Sequence, residues 1–130
     1  MLAKRNLLAF PLFLVLVLLW WYSLNFIPSD VHQGDIYKII YLHVPCAFSA
    51  FFCSFILFVL SIMYLFTKAQ KYAFLARSTA EIGCGFTLLT LLTGSIWGRS
   101  TWGVWWTWDA RLTTTFLLGV LYVGYLLLVS

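Results

Sequence analysis

Four stretches of this chain run for 16 residues or more without a charged side chain: Leu7–Ile27, Val44–Phe66, Ile82–Trp97 and Leu112–Ser130. A membrane-spanning helix needs about 20 mostly apolar residues, each rising about 1.5 Å. Lipid offers no partner to a backbone N–H or C=O, so a segment that crosses it must satisfy its own peptide groups, which selects helix. The third stretch is the shortest and extends back to Thr79 only by including Glu81. Composition agrees with a lipid-solvated chain, because only 9% of the residues are charged while 63% are hydrophobic. A soluble domain carries about 25% charged residues to cover its surface. The expectation is an all-α, polytopic transmembrane helical bundle: one membrane domain over 1–130, with spans at about 7–27, 44–66, 79–97 and 112–130.

Charge sets the orientation. Lys4 and Arg5 precede the first span, and Lys68, Lys71 and Arg77 occupy the connection Thr67–Ser78, so five of the eight basic residues fall on one side of a four-span chain. The other side holds Lys38, Arg99 and Arg111, offset by Asp30, Asp35 and Asp109. Basic residues near span ends stay cytoplasmic, which directs loops 28–43 and 98–111 outward. The first apolar run is too long for a signal-peptide core and ends in Asn25-Phe26-Ile27-Pro28 without a small-residue cleavage pattern, so it reads as a retained span. The fourth reaches Ser130 with no polar tail, as if the chain were cut short. The net charge of +4 is scattered rather than gathered in a stripe, which argues against nucleic-acid binding.

Within the third span, Gly83, Thr87, Thr90 and Gly94 recur at helical spacing, a small-residue stripe that lets another helix approach closely. Glu81 at its cytoplasmic edge reads as a hydrated side chain. Cys46, Cys53 and Cys84 form no Cys-x-x-Cys pair and read as small apolar packing residues. Nucleophile–base spacings, phosphate loops and zinc patterns are absent, so any nucleotide-driven step belongs to a partner subunit and the chain reads as a non-enzyme.

The most informative segment is Trp97-Gly98-Arg99-Ser100-Thr101-Trp102-Gly103-Val104-Trp105-Trp106-Thr107-Trp108-Asp109-Ala110-Arg111-Leu112-Thr113. It holds five of the chain's seven tryptophans. Interfacial tryptophans anchor span ends, and Trp20-Trp21 is that ordinary case. Five in one outward loop, with Gly98 and Gly103 providing bends, predict a flat apolar platform. Indoles offer broad rigid area, while Arg99 and Arg111 offer forks matched to carboxylates. The ligand that uses both is a planar macrocycle with acidic substituents, such as heme. Asp109 fits orienting an indole N–H or pairing with Arg111.

Heme iron takes an axial ligand, most often His. His43 ends a stretch in which Ile36, Ile39, Ile40 and His43 share one helical face. Pro45 disfavours helical geometry at Val44, which predicts a bend there, with His43 at membrane-surface depth beside the Trp loop. His32 lies in a polar turn and reads as hydrated.

The Trp-rich segment, ending Trp-Asp-Ala-Arg-Leu-Thr, resembles the WWD signature of heme-handling membrane proteins, and most closely that of the heme exporter protein C (CcmC-type) family. Tyr41-Leu42-His43-Val44-Pro45 is similar to that family's Tyr-x-His-Val-Pro segment. CcmF- and CcsA-type heme lyases, which attach heme to apocytochrome, more typically end the loop in Trp-Asp-Pro. The resemblance implies a heme-binding and heme-delivery subunit of c-type cytochrome biogenesis, with heme b as cargo. It implies His43 as an axial iron ligand and a heme-contacting set of Trp97, Trp102, Trp105, Trp106, Trp108, Arg99, Arg111 and Asp109. Implied partners are a periplasmic CcmE-type heme chaperone, CcmA/CcmB-type ABC transporter subunits, a small CcmD-type membrane subunit and the lipid bilayer. The implied location is the bacterial inner membrane, or the mitochondrial inner membrane for an organelle-encoded chain. Family members have six spans and a second axial His beyond the point where this sequence stops. An assembly subunit whose Trp loop only docks another protein is the reading without heme.

Overall fold

A computed structural model describes residues 2–129, with side chains described from Phe10 onward; the Lys4 and Arg5 side chains and Ser130 lie outside the described residues. Four α-helices follow in order: α1 (Leu2–Phe26), α2 (Ile40–Thr67), α3 (Gln70–Trp102) and α4 (Ala110–Leu128), with a short 3₁₀ turn, Asp35–Ile39, leading into α2. No strand occurs among the described residues. Val44–Phe66 and Ile82–Trp97 fall within α2 and α3, while α1 holds the first stretch as far as Phe26 and α4 the fourth as far as Leu128. Three helical segments, Asp35–Thr67, Gln70–Trp102 and Ala110–Leu128, are long and apolar enough to cross a membrane, and Phe10–Phe26 adds a shorter apolar one. The chain is an all-helical, multi-pass membrane protein.

Residues 1–42 and 43–130 form two separate compact units. In the first, side chains meet two carbonyls near the end of α1, of which that of Leu24 is one an α-helix leaves without an intrahelical donor. Asn25 Nδ2 donates to the Trp21 carbonyl at 2.8 Å. Lys38, although a lysine, is buried, because its ammonium donates to the Leu24 carbonyl at 2.9 Å and pairs with Asp35 at 2.8 Å. Between these lies a tight turn in which Asp30 Oδ1 accepts from the N–H groups of His32 and Gln33, each at 2.8 Å. Those N–H donors, Gln33 first and His32 second, hold the Asp30 carboxyl below its ordinary value. Gly34 closes the turn at φ 62°. His32 is exposed on this turn, consistent with the hydrated role read for it.

The second unit is organised by the small-residue face of α3. Ala76, Ala80, Gly83, Thr87, Thr90 and Gly98 are all buried along it. Its threonines satisfy their hydroxyls locally: Thr87 donates to the Gly83 carbonyl and Thr90 to the Phe86 carbonyl, both at 2.8 Å. That back-bonding lets a polar side chain sit inside a lipid-facing bundle without an outside partner. Tyr122 of α4 fills the space that Gly83 vacates, and a Cβ there would come within 2.5 Å of the phenol. The Tyr122 hydroxyl then crosses to α2 and donates to the Ala50 carbonyl at 2.8 Å. Lower down, Arg77 reaches the Val129 carbonyl at 3.2 Å while pairing with Glu81 one turn along α3.

Three sequence expectations change. The connection Thr67–Ser78 contracts to Lys68 and Ala69, because α3 begins at Gln70 and carries Lys71 and Arg77 in its opening turns. The loop expected over 98–111 contracts to residues 103–109, since α3 continues to Trp102. Hydropathy marks only the part of a helix that lipid favours; a helix continues into polar surroundings as long as its backbone bonds are kept. The third correction concerns Pro45, which lies inside α2 without ending it. Ile40 is already right-handed helical at φ −57°, ψ −33°, so the 3₁₀ turn feeds straight into α2. Pro45 is the sixth residue of α2, past the first turn, so it withholds a donor from the Tyr41 carbonyl, a cost that membrane-spanning helices tolerate.

Candidate functional site

His43 stands in the first turn of α2, not at a bend, and faces the far end of α3. Its Nδ1 lies 2.8 Å from Thr93 Oγ1. Gly94 makes room for the ring, since a Cβ there would meet His43 Cε1 at 3.1 Å and Nδ1 at 3.7 Å. The Nδ1–Cε1 edge is therefore the one turned to α3. A cavity of about 270 Å³ opens beside the ring, lined by His43, Ala47 and Phe51 of α2, Thr90 and Leu91 of α3, and Arg111, Leu112, Thr114 and Thr115 of α4. Two of the residues singled out from sequence, His43 and Arg111, thus border one space.

Arg111 links this space to the Trp segment. Its guanidinium lies over the Trp102 ring, 5.5 Å from the centroid, a cation–π arrangement. Trp102 in turn meets Trp97 edge-to-face, with centroids 5.0 Å apart and planes at 79°. A second aromatic group forms where the loop enters α4: Trp106 packs edge-on to Trp108 at 5.5 Å and to Phe116 at 6.0 Å. Trp105 and Trp108 are 60% and 77% exposed. These indoles give an aromatic rim of steeply inclined rings rather than the flat platform expected, because quadrupoles favour edge-to-face contact over parallel faces.

Local chemistry explains the loop's shape. Gly103 takes φ 79° and caps α3, its N–H bonded to the Arg99 carbonyl, a left-handed position that glycine occupies without a Cβ penalty. Gly98, by contrast, is buried inside the helix beneath Trp102 and provides no bend. Arg99 turns back to donate to the Gly103 carbonyl and is not among the residues that line the cavity. Asp109 caps α4, accepting at Oδ1 from Arg111 N at 2.8 Å and Leu112 N at 3.1 Å, and at Oδ2 from the Thr107 hydroxyl at 2.8 Å. The Leu112 N–H first, then Thr107 and the Arg111 backbone and charge, hold its carboxyl below the usual range. Asp109 also approaches the Arg111 side chain at 3.8 Å, so of its two expected roles the pairing with Arg111 is seen. Trp106 Nε1 is instead buried without a partner, as is Thr113 Oγ1.

A family model described as heme exporter protein C matches residues 2–130. The chain belongs to the heme exporter protein C family. Heme exporter protein C of Paracoccus denitrificans is 42% identical over 101 residues, covering 78% of this chain and 42% of that protein. The Escherichia coli K12 protein of the same name is 40% identical over 117 residues, covering 90% of this chain and 48% of its own length. A ccmC-like mitochondrial protein of Marchantia polymorpha, named for cytochrome c biosynthesis, is 42% identical over 97 residues, 75% of this chain and 42% of the relative. The chain spans about half the length of the curated relatives it matches.

In this member of the heme exporter protein C family, sequence reasoning named His43, Arg111 and the tryptophans but not the groups that hold the histidine. Thr93 and Gly94 were missed as a histidine seat. Gly94 and Thr90 appeared only as a packing stripe, and the signal that the stripe receives an imidazole lies some 50 residues away on α2.

Proposed function

We propose that this chain is a heme-binding, heme-delivering membrane subunit of c-type cytochrome biogenesis, with heme b as its cargo. The observation that carries the reading is the pairing of His43 and Arg111 on one cavity whose edge continues into Trp102 and Trp97. The donor set suits the cargo: an imidazole for iron, a guanidinium for a propionate, and indole surface for the macrocycle. Ligand pockets run from about 300 to 1,000 Å³, so a cavity of about 270 Å³ holds a bulky macrocycle only in part. The remainder would lie against the exposed indoles Trp105 and Trp108, a geometry suited to handing cargo on rather than enclosing it. Arg99 and Asp109, engaged in capping, support the loop's shape and act on the cargo through it.

The family name supports a setting in which CcmA/CcmB-type ABC subunits, a CcmD-type membrane subunit and a CcmE-type chaperone act with this chain in a bacterial or mitochondrial inner membrane. The test is a Soret spectrum of the detergent-purified chain titrated with hemin. The wild-type chain is expected to bind with a histidine-ligated spectrum, and His43→Ala to lose it while His32→Ala keeps it. Equal binding by the wild type and His43→Ala would remove His43 from the site; no binding by any of them would leave the Trp loop as a protein-docking element.

A further inference from the structure

We infer that Thr93 is a positioning residue that holds His43 in its Nδ1–H tautomer and so keeps the Nε2 lone pair free for the iron of heme, an inference that rests on the heme reading above. The reasoning turns on one proton. A threonine hydroxyl carries a single hydrogen and can donate only one strong bond. Thr93 Oγ1 stands 2.7 Å from the Leu89 carbonyl oxygen and 3.2 Å from that of Thr90, and 2.8 Å from His43 Nδ1. Two oxygens at 2.7 Å with no hydrogen between them repel, so the hydroxyl proton lies on the Leu89 side. Toward His43 the Thr93 oxygen then offers a lone pair, and Nδ1 must supply the hydrogen. A neutral imidazole with Nδ1 protonated has its acceptor at Nε2.

Position agrees with protonation. The Nδ1–Cε1 edge is pressed to α3 in the space left by Gly94, and the same side chain borders the cavity that it lines with Arg111. A ring flipped by half a turn would present a carbon to Thr93 Oγ1 and forfeit the bond. Thr93 itself is 7% exposed, and its back-bonds to α3 leave the hydroxyl little freedom to reorient. The chain of contacts Leu89 carbonyl, Thr93 hydroxyl, His43 Nδ1 has the form of an outer-shell relay that orients a metal-binding histidine and raises its basicity.

Two measurements test this on the full chain. The first needs no heme: ¹⁵N spectra of histidine-labelled protein in detergent, with His32→Gln to assign the signals, are expected to show a protonated Nδ1 and an unprotonated Nε2 on neutral His43. A protonated Nε2 would overturn the inference whatever becomes of the heme reading. The second compares Thr93→Val, which keeps shape but cannot accept, with Thr93→Ser, which can. Outer-shell partners of metal ligands are worth about 10–100-fold in affinity, so Thr93→Val should weaken hemin binding at least tenfold and lower the iron–histidine stretching frequency of the ferrous form. Thr93→Ser should restore both. Equal behaviour of Val and Ser variants would make Thr93 a packing residue, and wild-type affinity in Thr93→Val would refute the relay. Loss of binding in Thr93→Val but not in His43→Ala would refute the heme ligation by His43 on which the inference rests.

Discussion

Gly83→Ala tests the packing that holds the second unit together. The new methyl would sit 2.5 Å from both Cζ and Oη of Tyr122, closer than any real contact, so the phenol must move. Tyr122 is only 2% exposed and is anchored by its bond to the Ala50 carbonyl, so the ring cannot move without loosening α2 from α4. Overpacking of this kind costs about 1–3 kcal/mol. Loss of the phenol hydrogen bond adds about 0.5–1.5 kcal/mol. Alanine's better helix propensity returns about 0.5–1 kcal/mol. The balance is a destabilisation near 2 kcal/mol, or about 30-fold in the unfolding equilibrium at 1.4 kcal/mol per factor of ten. Gly85→Ala is the internal control, because nothing lies within 4 Å of a Cβ there; it should be neutral or slightly stabilising. Reversible SDS unfolding of the detergent-solubilised protein, followed by tryptophan fluorescence, measures both. A Tyr122→Leu background should shrink the Gly83→Ala penalty, the coupling expected of residues in contact. If Gly83→Ala and Gly85→Ala unfold alike, the Gly83–Tyr122 junction does not support the bundle and the reasoning fails.

Reporter fusions at Gln70 and Ser100, at opposite ends of α3, should lie on opposite membrane faces, with Gln70 cytoplasmic; the same face for both would exclude a spanning α3. The Asp109 carboxyl is held below its ordinary value in the folded chain, so its cap contributes above the ordinary carboxylate range and is lost as pH falls through the lowered folded value. Asp109→Asn, which still accepts a hydrogen bond but carries no charge, should be less stable than the wild type at pH 7 and converge with it on acidification; parallel curves would remove the charge from the cap. Trp102→Leu with Trp106→Leu should reduce hemin binding at matched protein level while Trp20→Leu with Trp21→Leu should not, and equal loss in the two pairs would reduce the loop to an anchor.

The helical class and the membrane-crossing character of the chain were legible because each depends on residues close together in sequence. Membrane partitioning is a property of a local run of side chains, and a cluster of indoles is visible wherever it lies. Helix limits were less legible, since the turns that carry Lys71 and Arg77 at one end of α3 and Arg99 and Trp102 at the other are polar or interfacial yet keep their backbone bonds. The stripe Gly83, Thr87, Thr90, Gly94 announced a close approach without saying to what. Tertiary structure decided that Gly83 receives a tyrosine from α4 while Gly94 receives a histidine from α2. It also decided that Arg99 and Asp109 serve helix ends while Arg111 reaches the cavity. Those outcomes depend on which face of one helix meets which face of another, and on hydrogen bonds between residues far apart in the chain, such as the 50 positions that separate His43 from Thr93. Local composition carries no record of such pairings, because they are set by the mutual fit of whole helices.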